Sequence, residues 1–231
     1  MRVALFGIAM LLVASANATP GAKVFTVNTN DVGGYIEWAR GAASVIGPAI
    51  NAREIGICVP SAGGERQGDL YLYRTADSMA NLLNVDSENP VITTEVAKLQ
   101  VNYTIQQKDI WSIVKDAPSH LAVGQKWSAA NWMVRTKDLV GYLKAGETIE
   151  RAYNKNGFEN VRLLAWQALA GANTGVTLVA FSAPDRATLG AALDAQNAPW
   201  AASLLKNVRK QRELVRGFIL DCELLYSGTA E

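Results

Sequence analysis

Apolar residues recur along the chain at two periods, and the switches between them mark its elements. Lys23 to Asn28, KVFTVN, alternates β-branched and aromatic residues with polar ones, the pattern of a half-buried strand. Thr29, Asn30 and Asp31 then offer capping side chains, and Val32, Tyr35, Ile36, Ala39, Ala43 and Ile46 follow at helical spacing as far as Gly47-Pro48, where the helix is predicted to stop. Gly33 and Gly34 weaken its first turn by about 1 kcal/mol each, which points to close backbone packing there. Arg53 to Val59 and Leu70 to Arg74 read as a hairpin around the glycine-rich PSAGGERQGD. A short helix is predicted from Thr75-Ala76-Asp77 to about Val85, a longer one from Pro90 to about Gln107, and a closing strand from Asp109 to Val114.

The order is then written again. VNTNDVGGYI (Val27 to Ile36) returns 107 positions later as VRTKDLVGYL (Val134 to Leu143), identical at five of ten positions. In the second copy Asn131 to Arg135 reads as the first strand and the helix after it ends at Gly157. Asn160 to Leu169 and Val176 to Phe181 form the hairpin around AGANTG. Asp185 stands at the place of Asp77, Pro199 to Arg212 is the second long helix, and Gly217 to Leu225 is the last strand. Each copy is β-α-β-β-α-β, the ferredoxin-like arrangement with helices on one face of an antiparallel sheet. The predicted class is α+β, two fused ferredoxin-like repeats: 19–115 and 129–226, with a linker at 116–128 and a tail at 227–231. One copy alone would leave its second sheet face open, whereas two copies bury those faces against each other.

Residues 1–18 are expected to be removed as a signal peptide. Arg2 precedes an apolar run, and Ala16-Asn17-Ala18 is a small-x-small cleavage site. The predicted location is periplasmic or secreted. Loss of Arg2 with the leader leaves 21 basic and 21 acidic side chains. That balance speaks against nucleic acid or anionic membrane as a partner, and KNVRKQRELVR reads as the solvated face of a helix. No segment after the leader is apolar enough to insert in a membrane. Cys58 and Cys222 are an even pair in an exported chain, which suits one disulfide or two buried thiols.

This tandem of strand and helix units, with a short extra helix after the third strand, resembles the dimeric α+β barrel superfamily, which includes antibiotic-biosynthesis monooxygenases, NIPSNAP-like and EthD-like proteins, and haem-degrading enzymes. The resemblance covers nearly all of the mature chain. It implies that the two sheets close into one barrel within the chain, as a monomer or homodimer. It also implies that the second strand of one unit lies beside the fourth of the other, which would bring Cys58 to Cys222. Its haem-degrading members use an asparagine, tryptophan and histidine set that this chain does not reproduce.

Chemistry in the sequence is sparse. His120, in the linker, is the single histidine, so multi-histidine metal centres and histidine-dependent nucleophile relays are not expected, and neither a metal nor a cofactor is predicted. GGERQG and GANTG lack a phosphate-loop pattern and read as hairpin turns. What remains is the barrel lining. Alternation with the apolar set facing the helices turns Asn28 and Arg135 inward, along with Tyr71, Tyr73, Trp166 and Phe181 on the hairpins and Trp111, Ile219 and Asp221 on the last strands. An aromatic lining with a few polar groups suits a small-molecule pocket. Asn28, Tyr71, Tyr73, Trp111, Arg135, Trp166 and Asp221 are therefore the candidate ligand contacts. The first expectation is an exported protein binding a small aromatic or apolar ligand without catalysis. A cofactor-independent monooxygenase-like enzyme is the alternative, and haem binding a weaker one.

Overall fold

The computed structural model describes residues 18–116 and 121–228. The predicted leader, apart from Ala18, and His120 lie outside them. The described residues form eight strands: β1 Gly21–Thr29, β2 Glu54–Ala62, β3 Asp69–Ala76, β4 Tyr103–Lys115, β5 Lys126–Arg135, β6 Arg162–Ala170, β7 Thr177–Ala183 and β8 Glu213–Ser227. Their helices are α1 Val32–Ala49, α2 Met79–Leu83, α3 Pro90–Ala97, α4 Leu139–Lys155, α5 Arg186–Asp194 and α6 Pro199–Lys210. All the strands join one closed barrel in the order β1-β3-β2-β8-β5-β7-β6-β4, and every pairing is antiparallel.

The ten-residue repeat is a strand-to-helix turn made twice. Val27 and Val134 are fully buried strand residues. The Thr29 hydroxyl accepts from the Asp31 backbone N–H at 3.2 Å, and Thr136 does the same for Asp138 at 3.3 Å. Each aspartate then caps its helix, Asp31 accepting from the Gly34 N–H at 2.8 Å and Asp138 from the Gly141 N–H at 2.9 Å. A Cβ on either glycine would fall 2.4 Å or 2.3 Å from the capping carboxylate, so the glycine is what lets the cap close. Tyr35 and Tyr142, next in line, are both 3% exposed. Every identical position thus has a packing or capping role.

Three apolar cores follow from strand alternation. Phe25, Val27, Ile55 and Leu72 face outward against α1 and α3, and Trp132, Val134, Phe181 and Ile219 face outward against α4, α5 and α6. Inside the barrel lie Tyr73, Trp111, Met133, Phe218, Leu220 and Cys222, among others. The fourth and eighth strands stitch the halves together. β4 pairs with β1 from Tyr103 to Ser112 and with β6 from Ile110 to Lys115; β8 pairs with β5 from Glu213 to Glu223 and with β2 from Ile219 to Ser227.

Several expectations are corrected. The helix expected to reach Gln107 ends at Ala97, and Tyr103–Gln107 is already strand. Thr75 and Ala76 end β3, and Ser78 caps α2 through the Asn81 N–H at 3.1 Å. Pro48 lies inside the last turn of α1, where it has no N–H to give the Ser44 carbonyl, and the helix ends one residue later at Ala49. Ile219 and Asp221 point out of the barrel, because Phe218, Leu220 and Cys222 take the inward positions of β8, and Phe181 does so because Leu178, Ala180 and Ser182 take those of β7.

Candidate functional site

A cavity of about 520 Å3 occupies the barrel interior. Tyr71, Tyr73, Trp111, Trp127, Trp166 and Phe218 give it an aromatic wall. It reaches the surface at the barrel end where β1, β2, β5 and β6 begin and β3, β4, β7 and β8 finish, past Asp116, Gln125, Asn160 and Arg162, all exposed. At the other end the Tyr71 hydroxyl accepts from Arg216 at 3.1 Å, and the Arg216 guanidinium lies 4.6 Å from the centre of the Phe218 ring.

The disulfide Cys58–Cys222 lies on this wall. The two residues are direct partners across the β2–β8 seam, with Cα atoms 4.0 Å apart and an S–S bond of 2.03 Å. Tyr73 meets Trp166 edge to face at 5.9 Å. Its phenol packs on Gly56, where a Cβ would fall 2.3 Å from the hydroxyl. Burial, helped by the charges of Glu54 and Asp116, pushes the Tyr73 phenol far up, and burial raises Tyr71 in spite of Arg216, so both stay protonated. Glu54, Thr75 and Asn131 are the deeply buried polar residues of the lining that no aromatic pattern announced; the Asn131 amide donates to the Ala129 carbonyl at 3.0 Å. Their signal was alternation: Glu54 shares the parity of Cys58, and Asn131 that of Met133. The Trp111 and Trp166 indole N–H groups and the Thr75 hydroxyl, all from lining residues, are buried without a partner.

Of the residues singled out in the sequence, Tyr71, Tyr73, Trp111, Trp166 and both cysteines meet on this wall. Asn28, Arg135 and Asp221 do not. Asn28 donates to Asp69 at 2.8 Å near the opposite end, and Arg135 is exposed at the end of β5. Asp221 lies outside the barrel, accepting from Ser128 at 2.8 Å and pairing with Arg186 at 2.5 Å; those contacts hold its carboxyl below the usual range. Among the described residues no cluster of histidine, cysteine and carboxylate side chains could hold a metal ion, and no helix is long and apolar enough to cross a membrane.

No family model and no curated protein matches the chain. Solved structures do. A candidate monooxygenase from Lactobacillus acidophilus is 12% identical with a TM-score of 0.55, the match covering 90% of this chain and 95% of that one. A candidate monooxygenase from Fusobacterium nucleatum is 11% identical at 0.51, over 90% and 94% of the two chains. A candidate DyP-type peroxidase from Shewanella oneidensis is 7% identical at 0.56, over 91% and 94%. At these identities the likeness speaks for architecture, and with the closed antiparallel barrel it establishes the dimeric α+β barrel fold, built here from a single chain.

Proposed function

We propose that this is an exported protein whose barrel binds a small, uncharged aromatic molecule carrying oxygen acceptors. The cavity carries the reading: about 520 Å3 lies within the roughly 300–1,000 Å3 of small-molecule sites, which are mostly apolar with a few polar groups. The buried Glu54 on the wall disfavours an anion, while Asp116 at the entrance is paired with Arg53 and adds little, and the unpartnered indole donors favour a ligand with acceptors. The disulfide suits an oxidising compartment. We read the halves as tandem ferredoxin-like repeats, since the barrel runs β4-β1-β3-β2 and then β8-β5-β7-β6.

A cofactor-independent oxygenase is the more specific reading, and the two candidate monooxygenases among the fold neighbours favour it over a pure carrier. A bound phenol or enol would surrender its proton before its electrons reach dioxygen, and Glu54 is the buried carboxylate on the wall that would accept it. Haem fits less well. Among the described residues the wall offers neither a histidine nor a free thiolate, and its phenols are held protonated by burial.

Titration with 1-naphthol, followed through the tryptophan fluorescence of the wall, tests the site. Saturable one-to-one quenching that Ala129→Trp abolishes is expected, and no saturable change would refute the pocket. Dioxygen uptake with 1-naphthol and no added cofactor, lost in Glu54→Gln, supports the oxygenase; binding without uptake supports the carrier.

A further inference from the structure

A second cavity, of about 230 Å3, lies outside the barrel between the sheet of the first half and helices α1 and α3. Phe25, Trp38, Ile46, Leu72 and Ile92 are among its apolar walls. Three cations also line it, Lys23, Arg74 and Lys108, and no acidic side chain does. The register sets Lys23 directly opposite Arg74 across β1–β3, and Lys108 opposite Phe25 across β1–β4. Like charges facing each other in an antiparallel pair oppose folding, and none of these three forms an ion pair among the described residues.

Arg74 is the most exacting of them. It is 7% exposed; one terminal nitrogen donates to the Leu82 carbonyl at 2.6 Å, while Nη1 has no partner. Burial, with the charges of Arg74 and Lys108, holds the Lys23 ammonium below its usual range, and burial lowers Arg74 as well. A buried cation is unfavourable until an anion reaches it. The cavity communicates with solvent beside Lys108 and Ile105, both exposed.

We propose that this second cavity binds a small carboxylic acid with an apolar tail, its carboxylate held by Lys23 and Arg74 with Lys108 at the rim, and its tail lying along Phe25, Leu72 and Ile92. A guanidinium fork matches a carboxylate in shape and charge. The volume is below the usual range for drug-sized ligands, so the tail is short. A rival role for Arg74 is purely structural, closing the last carbonyls of α2.

Calorimetric titration of the purified chain with octanoate and with octanol decides between them. Octanoate is expected to bind at least about tenfold tighter than octanol. Lys23→Gln and Arg74→Gln should each weaken octanoate by roughly 10- to 100-fold, the usual value of a charge-assisted hydrogen bond, and leave 1-naphthol binding in the barrel unchanged. Equal affinity for octanoate and octanol, or octanoate binding that survives Lys23→Gln, would overturn the proposal; the lysine variant decides if Arg74→Gln fails to fold. Because Lys23 and Arg74 line this cavity and not the barrel's, its failure leaves the barrel reading standing.

Discussion

Breaking the Cys58–Cys222 bond removes a covalent link across one of the two seams between the halves. The cysteines are 164 residues apart. In the chain-entropy account a loop of that length restrains the unfolded chain by about 5 kcal/mol, an upper figure, because measured disulfides often deliver less. With a urea m-value of about 3 kcal/mol/M, the upper end for small domains, the unfolding midpoint should fall by roughly 1.5 M. Equilibrium urea unfolding followed by tryptophan fluorescence, with and without a phosphine reductant, measures the shift, and Cys58→Ala/Cys222→Ala should reproduce it without reductant. Serine is the wrong replacement, since it would bury two hydroxyls against an apolar wall. A shift below about 0.3 M in both experiments would show that the paired strands hold the seam without the bond.

Gly41→Ala, in open space on α1, should stabilise by about 0.5–1 kcal/mol through helix propensity, whereas Gly34→Ala should lose that gain by displacing the Asp31 cap; thermal unfolding of the two variants makes the comparison. Asp138→Ala should cost about 1 kcal/mol in chemical denaturation, as removal of a capping side chain does. Glu223 is held below its ordinary value of 4.5, first by the hydrogen bonds from Arg40 and then by that charge. A depressed carboxyl adds stability that is complete above its unfolded value and lost as pH falls through its folded one. The unfolding midpoint should therefore drop as pH falls below about 4.5, and less steeply in Arg40→Gln; identical slopes would refute the linkage.

Strand and helix order was legible because both halves carry a buried alternating strand followed by a capped helix. The first part of β4 was not. Tyr103 to Asp109 pairs with β1 while β6 begins its pairing at Ile110, so that stretch overhangs and Gln106 and Lys108 meet solvent. Glu213 to Val215 overhangs in the same way at the start of β8. A strand half in solvent has no reason to alternate in hydrophobicity, and TIQQK reads as well along a helix. The inward set of β8 was misassigned for a different reason. FILDCELL carries Phe218, Leu220 and Cys222 on one face and Ile219, Asp221 and Glu223 on the other, and the expectation from alternation gave the apolar face to the helices. The barrel interior takes that apolar face instead, and Asp221 turns outward to Arg186. Four of the five aromatic residues expected inside, Tyr71, Tyr73, Trp111 and Trp166, line the cavity, and Phe181 does not. The buried Glu54 and Asn131 were hidden because a polar residue on a strand reads as solvent-facing by default.

A barrel assembled from two identical chains has a twofold axis, and any group on its wall appears twice. Here one chain supplies all eight strands, and matching places in their order differ: Glu54, first in β2, answers to Arg162, first in β6, and Val24, three residues before Val27, to Asn131, three before Val134, all four on the cavity lining. An acid stands where the matching place holds a base, and an aliphatic side chain where it holds an amide. The two sides of the cavity are consequently unlike, and a molecule entering it would meet a different wall each way round.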